Sequence, residues 1–264
     1  MIIIGERLNS SRPAVRNALA KKDKPYLVEQ AGLQVLAGAG YLDINAAALL
    51  EKEKETLHWI VPLLQEAAGV PLSIDTPDPG AMDVALRVHR GRALLNSLSG
   101  EKRKVERLLP LIKKYHPRVI VLCLDDCGPA ATPDRALAIA RRLARLLLRQ
   151  GLELEDIFVD PLIHSAATNR EAAIRFLASV RRIKERLPGI KTVAGLSNIS
   201  FGLPHRRLLN RTLLVLALKA GLDAAICDPL DRELRMALAA AEVLLGRDYS
   251  WRRFRRQASE KPEG

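Results

Sequence analysis

The chain has 264 residues, of which 48% are hydrophobic, and this is enough to build a large core within one domain. Its three cysteines, Cys123, Cys127 and Cys227, are few and widely spaced, which excludes a disulfide framework and favours a reducing, cytoplasmic setting. We expect neither a membrane span nor a signal peptide, because no apolar run of about 20 residues occurs and residues 1–6 lack a basic leader.

The net charge is +12 and the pI is about 10.0. Such a charge attracts nucleic acid, anionic substrates or acidic proteins. Basic residues are nevertheless spread along the chain, and in ALAIARRLARLLLRQ they alternate with Leu and Ile, which indicates solvated helix faces. We therefore expect no nucleic-acid partner. A cluster at 251–256 is the exception, and we interpret 249–264 as a basic C-terminal tail after a domain at 1–248.

Short apolar runs recur along the chain, and most of them end in polar residues, which predicts strands whose ends are polar. The predicted strands are Met1–Gly5, Tyr41–Asn45, Val70–Thr76, Arg92–Leu95, Arg118–Leu124, Asp156–Ile163, Thr192–Ala194 and Leu222–Asp228. A helix is predicted after each strand. These helices are Tyr26–Gly40, Glu51–Ala68, one begun by Pro77 and Pro79, Glu101–Tyr115, one begun by Pro133, Asn169–Arg186, Arg206–Ala220, and one from Pro229 to about Leu245.

The eight strand–helix units follow one another at roughly 30 residues, the usual size of a βαβ repeat. Alternating strands and helices imply right-handed parallel units, and eight such units close a barrel. We therefore predict an α/β fold, a single (β/α)8 TIM barrel, which commonly occupies roughly 250 residues. An open doubly wound sheet is the alternative, but it would not require eight evenly spaced units.

Acids and amides stand at the predicted strand ends. They are Asp43, Asn45, Asp75, Asn96, Asp160 and Asn198. In a parallel barrel these ends meet at one mouth, where ligands bind. Carboxylates and carboxamides suit a flat, polar, neutral ligand such as the 2-aminopyrimidinone ring of a pterin, whose adjacent N–H groups a carboxylate can accept together. The alternative, that these residues only cap helices, explains one acid better than it explains the set.

Metal chemistry fits the sequence less well. The five histidines lack metal-binding spacing, so we predict no metal site. A metal pair at Cys123 and Cys127, or Mg²⁺ at Asp125 and Asp126, is a weaker alternative. The sequence leaves open whether three residues near strand ends line the cleft: Cys123, His164 and His205.

Several short motifs occur in the order of a known family. They are IGERLN at 4–9, LDIN at 42–45, SID at 73–75, NS at 96–97, DPL at 160–162, GLSNIS at 195–200, LNRT at 209–212 and DAAI at 223–226. Together they resemble the methyltetrahydrofolate:corrinoid protein methyltransferases. That family shares its pterin-binding barrel with dihydropteroate synthase and with the folate module of cobalamin-dependent methionine synthase. The resemblance spans nearly the whole chain.

The resemblance implies roles for individual residues. Asp75, Asn96 and Asp160 would hold the pyrimidine edge of the pterin, and Asn198 would lie near N5, the nitrogen that carries the methyl group. Gly195 and Ser197 would line the same pocket. Further candidate pocket residues are Glu6, Asn9, Asp43, Asn45 and Asp125.

The resemblance also implies a reaction, in which a methyl group moves between N5 of methyltetrahydrofolate and the Co(I) centre of a corrinoid protein. Asn198 would be the catalytic residue. Its carboxamide does not ionise near neutral pH, but it can accept a hydrogen bond from protonated N5 and so stabilise the developing charge. The corrinoid (cobalamin) would arrive on a partner protein, because no DxHxxG segment for binding it is visible. A homodimer is implied as well, whereas the direction of transfer and the proton source stay open.

Two alternatives remain for the function. A dihydropteroate synthase-like condensing enzyme would need a Lys where Asn198 follows Ser197, and an Arg near strand eight, where the chain has Cys227-Asp228-Pro229. A non-catalytic folate-binding subunit is the second alternative, and a methyl-transfer assay separates it from an enzyme.

Overall fold

The computed structural model describes residues 1–248, 251–252 and 254–255. Eight parallel strands close into a barrel. In chain order they are β1 (Ile2–Asn9), β2 (Tyr41–Asn45), β3 (Leu72–Asp75), β4 (Leu94–Ser99), β5 (Arg118–Leu122), β6 (Ile157–Asp160), β7 (Lys191–Gly195) and β8 (Ala224–Cys227). The ladder between β8 and β1, which runs from Ile2–Ala224 to Gly5–Cys227, closes the sheet. The single (β/α)8 TIM barrel is therefore confirmed, and the open-sheet alternative is wrong.

Helices surround the barrel. They are α1 (Pro13–Lys21), α2 (Lys24–Leu36), α3 (Glu53–Ala68), α4 (Pro79–Val88), α5 (Lys102–Tyr115), α6 (Pro133–Leu148), α7 (Ala172–Arg186), α8 (Arg206–Ala220) and α9 (Arg232–Leu244). Two of them follow β1, and one follows each later strand. Among the helices of the described ranges, none combines the length and the apolar character that crossing a membrane requires.

Helix α1 is not among the elements that the sequence patterns predict. It has only 9 residues, which is too short for a convincing periodicity, and it begins with Pro13 in its first turn. Val15, Ala18 and Leu19 are buried, so packing against the barrel stabilises a helix that would be marginal alone.

Two strands extend beyond their predicted ends because their backbones continue to pair. Strand β1 reaches Asn9 rather than Gly5, and it pairs again with β2 after a shift in register between Gly5 and Leu8. Strand β4 likewise continues past Leu95 to Ser99. Strand β5 ends earlier than predicted, because the following residues form a small hairpin in which 124–125 pair with 128–129.

The inside of the barrel is filled by one apolar layer, the barrel floor. It consists of Ile4, Tyr41, Leu94, Ile120, Phe158, Val193 and Ala224. Side chains two residues apart on a strand face the same side. The residues two positions beyond Ile4, Tyr41, Leu94, Phe158 and Val193 are Glu6, Asp43, Asn96, Asp160 and Gly195. The strand period therefore directs the predicted polar residues into the barrel, directly above its floor.

The basic residues lie mainly on the outer faces of the helices. Helix α6 shows this most clearly, because it buries seven apolar side chains, among them Leu137 and Leu143, against the barrel. Arg141, Arg142 and Arg145 are exposed, which confirms the prediction of a solvated face. Of the predicted tail at 249–264, only residues 251–252 and 254–255 are described, so that boundary stays a prediction.

Candidate active site

Hydrogen bonds join side chains of three neighbouring strands on the inner wall of the barrel. Oδ1 of Asp43 on β2 accepts a hydrogen bond from Ser73 Oγ on β3 at 2.6 Å and from Asn96 Nδ2 on β4 at 3.0 Å. Asp43 and Ser73 are paired in the β2–β3 ladder, so their side chains project to the same side. Asn96 uses Nδ2 for this bond, and among the described residues no side chain or N–H group donates to the carbonyl oxygen of its side chain.

A second set of hydrogen bonds orients Asp75. Asn45 Nδ2 donates to Asp75 Oδ2 at 2.9 Å. The oxygen of the same carboxamide accepts from Ser10 Oγ at 3.0 Å and from the N–H of Ala47 at 3.1 Å. These contacts hold the amide with its donor toward Asp75. Within the described part of the chain, Asp75 Oδ1 accepts no hydrogen bond and remains available to a ligand.

These acids resist ionisation in the ligand-free barrel. Burial raises the pKa of Asp43, and the nearby charge of Asp75 raises it further. Burial also raises the pKa of Asp75, although the hydrogen bond from Asn45 opposes that change. A ligand that brings N–H donors would favour the ionised carboxylates and so be bound more tightly by them.

Asp160 lies at the end of β6 on the same inner wall. It is 7% exposed, and its Oδ1 accepts a hydrogen bond from the N–H of Leu162 at 2.7 Å. Leu162 has a φ of 66°, a left-handed conformation that is rare for Leu, and the turn brings its N–H onto the carboxylate. Burial raises the pKa of Asp160 to about 7. Asp160 is buried and Asp75 is half-buried, and the described residues satisfy each carboxylate only in part.

Asn198 lies at the opening of the barrel, at the end of a 3₁₀ turn, Leu196–Asn198, that follows β7. Its side chain is exposed. A Cβ atom at Gly195 would stand 3.3 Å from Asn198 Nδ2, closer than most such contacts. The glycine therefore leaves room for the carboxamide against the end of β7.

The hydroxyl of Ser197 ties this turn to β1 through one hydrogen bond shared by both oxygens of a carboxylate. Ser197 Oγ lies 2.8 Å and 3.0 Å from the two carboxylate oxygens of Glu6. Burial raises the pKa of Glu6, while the Ser197 hydroxyl and the guanidinium of Arg12 at 3.9 Å act in the opposite direction. Glu6 and Ser197, both predicted pocket residues, are thus in direct contact.

A cavity of about 1070 Å³ opens beside Glu6 and Ser197, between the ends of β7, β8 and β1 and the helices α2, α8 and α9. Arg7 crosses part of its wall to reach Asp228, with 2.9 Å between Nη1 and Oδ2. We call Asp43, Asp75, Asn96 and Asp160 the acidic layer, and none of these residues is part of this wall. The mouth therefore has an acidic side on β2–β4 and a largely basic side on β7, β8 and β1.

Two candidate pocket residues make their contacts away from the acidic layer. Asn9 Oδ1 accepts the N–H of Ser11 at 2.9 Å in the turn after β1. Asp125 lies in the hairpin after β5, where its Oδ2 accepts from Arg135 of α6 at 2.6 Å. Within the described ranges, no hydrogen bond joins either side chain to Asp43 or Asp75.

Three residues whose place the sequence left open are now located. Cys123 is fully buried, and its Sγ lies 3.4 Å from the carbonyl oxygen of Ala136 in α6, so it faces the helix layer rather than the cleft. His164 is exposed and lines a second cavity of about 290 Å³ between the loops after β5 and β6. His205 is exposed and immediately precedes α8.

Sequence reasoning assigned no role to Ser10 and Ser73, which hold Asn45 and Asp43 in place. For Ser73 a signal was present, since it stands two positions before Asp75 and must face the same side of β3. Ser10 follows the end of β1, where no periodicity applies, and only the pairing of β1 with β2 brings it to Asn45.

Known proteins resemble this chain over most of its length. The pterin binding enzyme family matches residues 5–228. A methylcorrinoid:tetrahydrofolate methyltransferase of Eubacterium limosum is 35% identical over 256 residues, which cover 96% of this chain and 94% of that protein. A methionine synthase of Mycobacterium tuberculosis is 28% identical over 239 residues, which cover 86% of this chain and 20% of that protein.

Among solved structures, a dihydropteroate synthase from Thermus thermophilus has a TM-score of 0.67 at 22% identity, over 93% of this chain and 92% of that chain. At this identity the likeness shows the fold alone. The family match, by contrast, extends from β1 to the end of β8 and includes the acidic layer. The chain therefore belongs to the pterin binding enzyme family.

Proposed function

We propose that the protein is a methyltransferase that moves a methyl group between N5 of methyltetrahydrofolate and the Co(I) centre of a corrinoid carried by a partner protein. The observation that carries the proposal is the layer of acids and amides above the barrel floor. The full-length relative, 35% identical, is named for the corresponding methyl transfer. The dihydropteroate synthase-like alternative is supported by fold alone, and Asn198 stands where that enzyme would need a Lys.

The acidic layer binds the substrate by its pterin ring. Asp75 and Asp160 each retain acceptor capacity and receive hydrogen bonds from N–H groups of the pyrimidine edge. Asn96, held by Asp43, presents its carbonyl oxygen to the same ring. The apolar floor keeps water from beneath the ring, which strengthens these contacts. Asp43 and Asn45 orient the binding groups rather than bind the ring themselves.

Asn198 acts on the reacting nitrogen. A tertiary amine is a poor leaving group, so N5 must gain a proton before its methyl group can move, and water or a relay supplies that proton. The carboxamide of Asn198 accepts a hydrogen bond from protonated N5 and stabilises the charge that the transition state carries. Both directions of transfer share this transition state, so the same contact serves either.

The corrinoid supplies the cobalt nucleophile, and it reaches the folate through the open mouth of the barrel. Asn198 is exposed at that mouth, so a partner can approach the reacting nitrogen from solvent. The barrel holds the ring and leaves open the face that carries the methyl group. It therefore contributes to catalysis by orienting the substrate.

The proposal extends to assembly and location. We place the enzyme in a reducing cytoplasm as a homodimer. The three cysteines, of which Cys123 and Cys227 are buried, are unpaired, as that compartment requires. Light scattering measures the mass of the particle in solution, and a mass of one chain at micromolar concentration would contradict the dimer.

The experiment that tests the function mixes the enzyme with methyltetrahydrofolate and free cob(I)alamin and follows the visible spectrum as methylcobalamin forms. We expect the wild-type protein to transfer the methyl group. The rate of transfer should be lower by roughly 10²-fold or more in Asn198→Ala, which is the usual effect of removing one oriented polar group. Asn17→Ala, a change of the same kind at an exposed site on α1, is the control.

Full activity of Asn198→Ala would remove this residue from the mechanism. A wild-type protein that binds the folate but transfers no methyl group to free or protein-bound corrinoid would instead be the non-catalytic folate-binding subunit.

A further inference from the structure

The carboxamide of Asn198 takes its position from the backbone that carries it. Its side chain is exposed, and it forms no hydrogen bond with any other residue that the structure describes. A side chain without such a bond follows the turn to which it is attached. The contacts that hold residues 196–201 in place therefore also decide where the carboxamide lies.

Two of these contacts come from β1 and α8. Glu6 of β1 accepts the hydroxyl of Ser197, as described above. From α8, Arg206 donates through Nη2 to the carbonyl oxygen of Ser197 at 3.0 Å and through Nε to the hydroxyl of Ser200 at 3.1 Å. Both contacts hold the turn at Ser197 or Ser200, on the side of β1 and α8.

A third contact comes from the opposite side, from residues 161–171 after β6, which we call the β6 loop. Ser165 Oγ lies 2.5 Å from the carbonyl oxygen of Phe201, and the N–H of Ala166 donates to the carbonyl oxygen of Ile199 at 2.9 Å. The hydroxyl of Ser165 also accepts the N–H of Ala167 at 3.1 Å. Because a backbone N–H can only donate, the hydroxyl proton of Ser165 is left for Phe201.

The β6 loop starts at a residue of the acidic layer. Asp160 ends β6 and accepts the N–H of Leu162, and Ser165 follows three residues after Leu162. The bond from Ser165 to Phe201 therefore links the segment that begins at Asp160 with the turn that carries Asn198. Sequence patterns assigned no role to Ser165, because its partner lies 36 residues away in the chain.

We propose that Ser165 is a positioning residue, which acts through the carbonyl of Phe201 to hold Asn198 where it meets N5 of the bound folate. The inference rests on the proposed function, in which Asn198 stabilises charge at N5. Ser165 itself does not touch the substrate. The ring is bound by Asp75, Asn96 and Asp160, so loss of the Ser165 hydroxyl should affect the chemical step and spare binding.

The kinetic test measures kcat for methyl transfer and, by titration calorimetry, the affinity for methyltetrahydrofolate. Ser165→Ala should lower kcat about fivefold, the effect of losing one hydrogen bond, and should leave the affinity within a factor of about two. Ser165→Thr retains the hydroxyl and should restore the wild-type kcat.

Thr168→Val is the matched control. It removes a hydroxyl from the same loop, one that donates to the carbonyl oxygen of Ser165 at 3.2 Å and makes no hydrogen bond to residues 196–201 within the described ranges. Its kcat and its affinity for the folate should equal those of the wild type.

Amide hydrogen exchange supplies a measurement that needs neither corrinoid nor turnover. The N–H of Ile199 donates to Leu196 and that of Phe201 donates to Asn198, so both report on the turn. Their exchange should be about fivefold faster in Ser165→Ala than in the wild type, and unchanged in Thr168→Val.

An unchanged kcat in Ser165→Ala would overturn the inference. An equal loss of kcat in Thr168→Val or in Ser165→Thr would also overturn it, because the hydroxyl of Ser165 would then not be the cause. A loss of folate affinity as large as the loss of kcat would place the effect at Asp160 rather than at Asn198, with the same consequence.

The two measurements separate this inference from the proposed function. Faster exchange in Ser165→Ala, in a protein whose wild type transfers no methyl group, would refute the function and leave the hold of Ser165 on the turn established. Methyl transfer by the wild type, with the same kcat in Ser165→Ala, would support the function and refute the role of Ser165.

Discussion

The buried carboxylates above the barrel floor are less stable as ions in the ligand-free protein than they would be in water. Asp160 illustrates this, because burial raises its pKa from 3.8 to about 7. Between these values the folded protein holds a proton that the unfolded chain has released. The free energy of unfolding therefore falls as the pH rises through this range, and it stays at the lower value above the range.

Asp160→Asn should make the ligand-free protein more stable at pH 8, by up to roughly 4 kcal/mol, because a neutral amide replaces a buried ion. Its stability should also vary less between pH 4 and pH 7 than that of the wild type. Urea unfolding at several pH values measures both effects. Folate binding should weaken in the same variant, and a variant that is less stable at pH 8 would contradict the assigned burial cost.

Gly195 affects the reaction through the space that it leaves for Asn198. Its backbone is extended, with a φ of −80°, so an alanine there is not strained by conformation. The added Cβ would stand 3.3 Å from Asn198 Nδ2 and would displace the carboxamide. We expect Gly195→Ala to lower kcat about tenfold, since small displacements of an oriented group are costly, with little change in Tm.

Gly32→Ala is the control for this variant, because beyond the local backbone of its own helix no described atom lies within 4 Å of the position of its added Cβ. In helix α2 this change should stabilise the protein by about 0.5–1 kcal/mol and leave turnover unchanged. If Gly195→Ala kept full activity, the close approach to Asn198 would have no catalytic consequence.

The individual elements position the site by two simple devices, strand alternation and helix capping. Alternation sends Asp43, Asn96 and Asp160 inward above the barrel floor. Side-chain capping fixes four of the described helices, α2, α4, α6 and α9, and at α4 Asp78 accepts the N–H groups of Gly80 at 3.0 Å and Ala81 at 3.2 Å. At α4 the strand that ends in Asp75 is therefore joined to a helix whose first turn is also satisfied.

Asp78→Ala should destabilise the protein by about 1 kcal/mol, because two helix N–H groups lose their acceptor. Asp78→Asn should retain most of the wild-type stability, since Asn caps helices nearly as well. Urea unfolding of the three proteins gives the comparison. Equal losses in the two variants would assign the effect to the ion pair with Lys54, 3.3 Å away, rather than to the cap.

Across the whole molecule the net charge is +12, and many of the basic residues of the described ranges lie on the helices that surround the barrel. Several arginines also pair with acids on neighbouring elements, as Arg182 of α7 does with Asp134 of α6 at 2.7 Å. A duplex needs a continuous basic strip along its backbone, and basic residues dispersed around a barrel do not form one.

We therefore expect binding of a random DNA duplex to be weaker than about 10⁻⁵ M at physiological salt. A mobility-shift titration at two salt concentrations measures it. Tight binding that persists at high salt would contradict this expectation and would require a surface that recognises nucleic acid.

The sequence was sufficient for the order and type of the barrel elements, since strand and helix periods are local and recur at even spacing. It missed α1, whose 9 residues gain their stability from packing. It also placed the ends of β1 and β4 too early, because those ends depend on pairing with a neighbouring strand. Of the site, it predicted which acids and amides share the mouth, but not the serines that orient them.

The sequence by itself determined that Asp43, Asp75, Asn96 and Asp160 lie on strands of a parallel barrel, because alternation is a property of each strand alone. Only the tertiary structure decided which groups touch. Contacts such as Glu6 with Ser197, 191 residues apart, exist because closure of the barrel brings β1 beside the end of β7 and β8. The same closure creates the cavity of about 1070 Å³ beside Glu6, whose walls come from segments that have no common pattern in the chain.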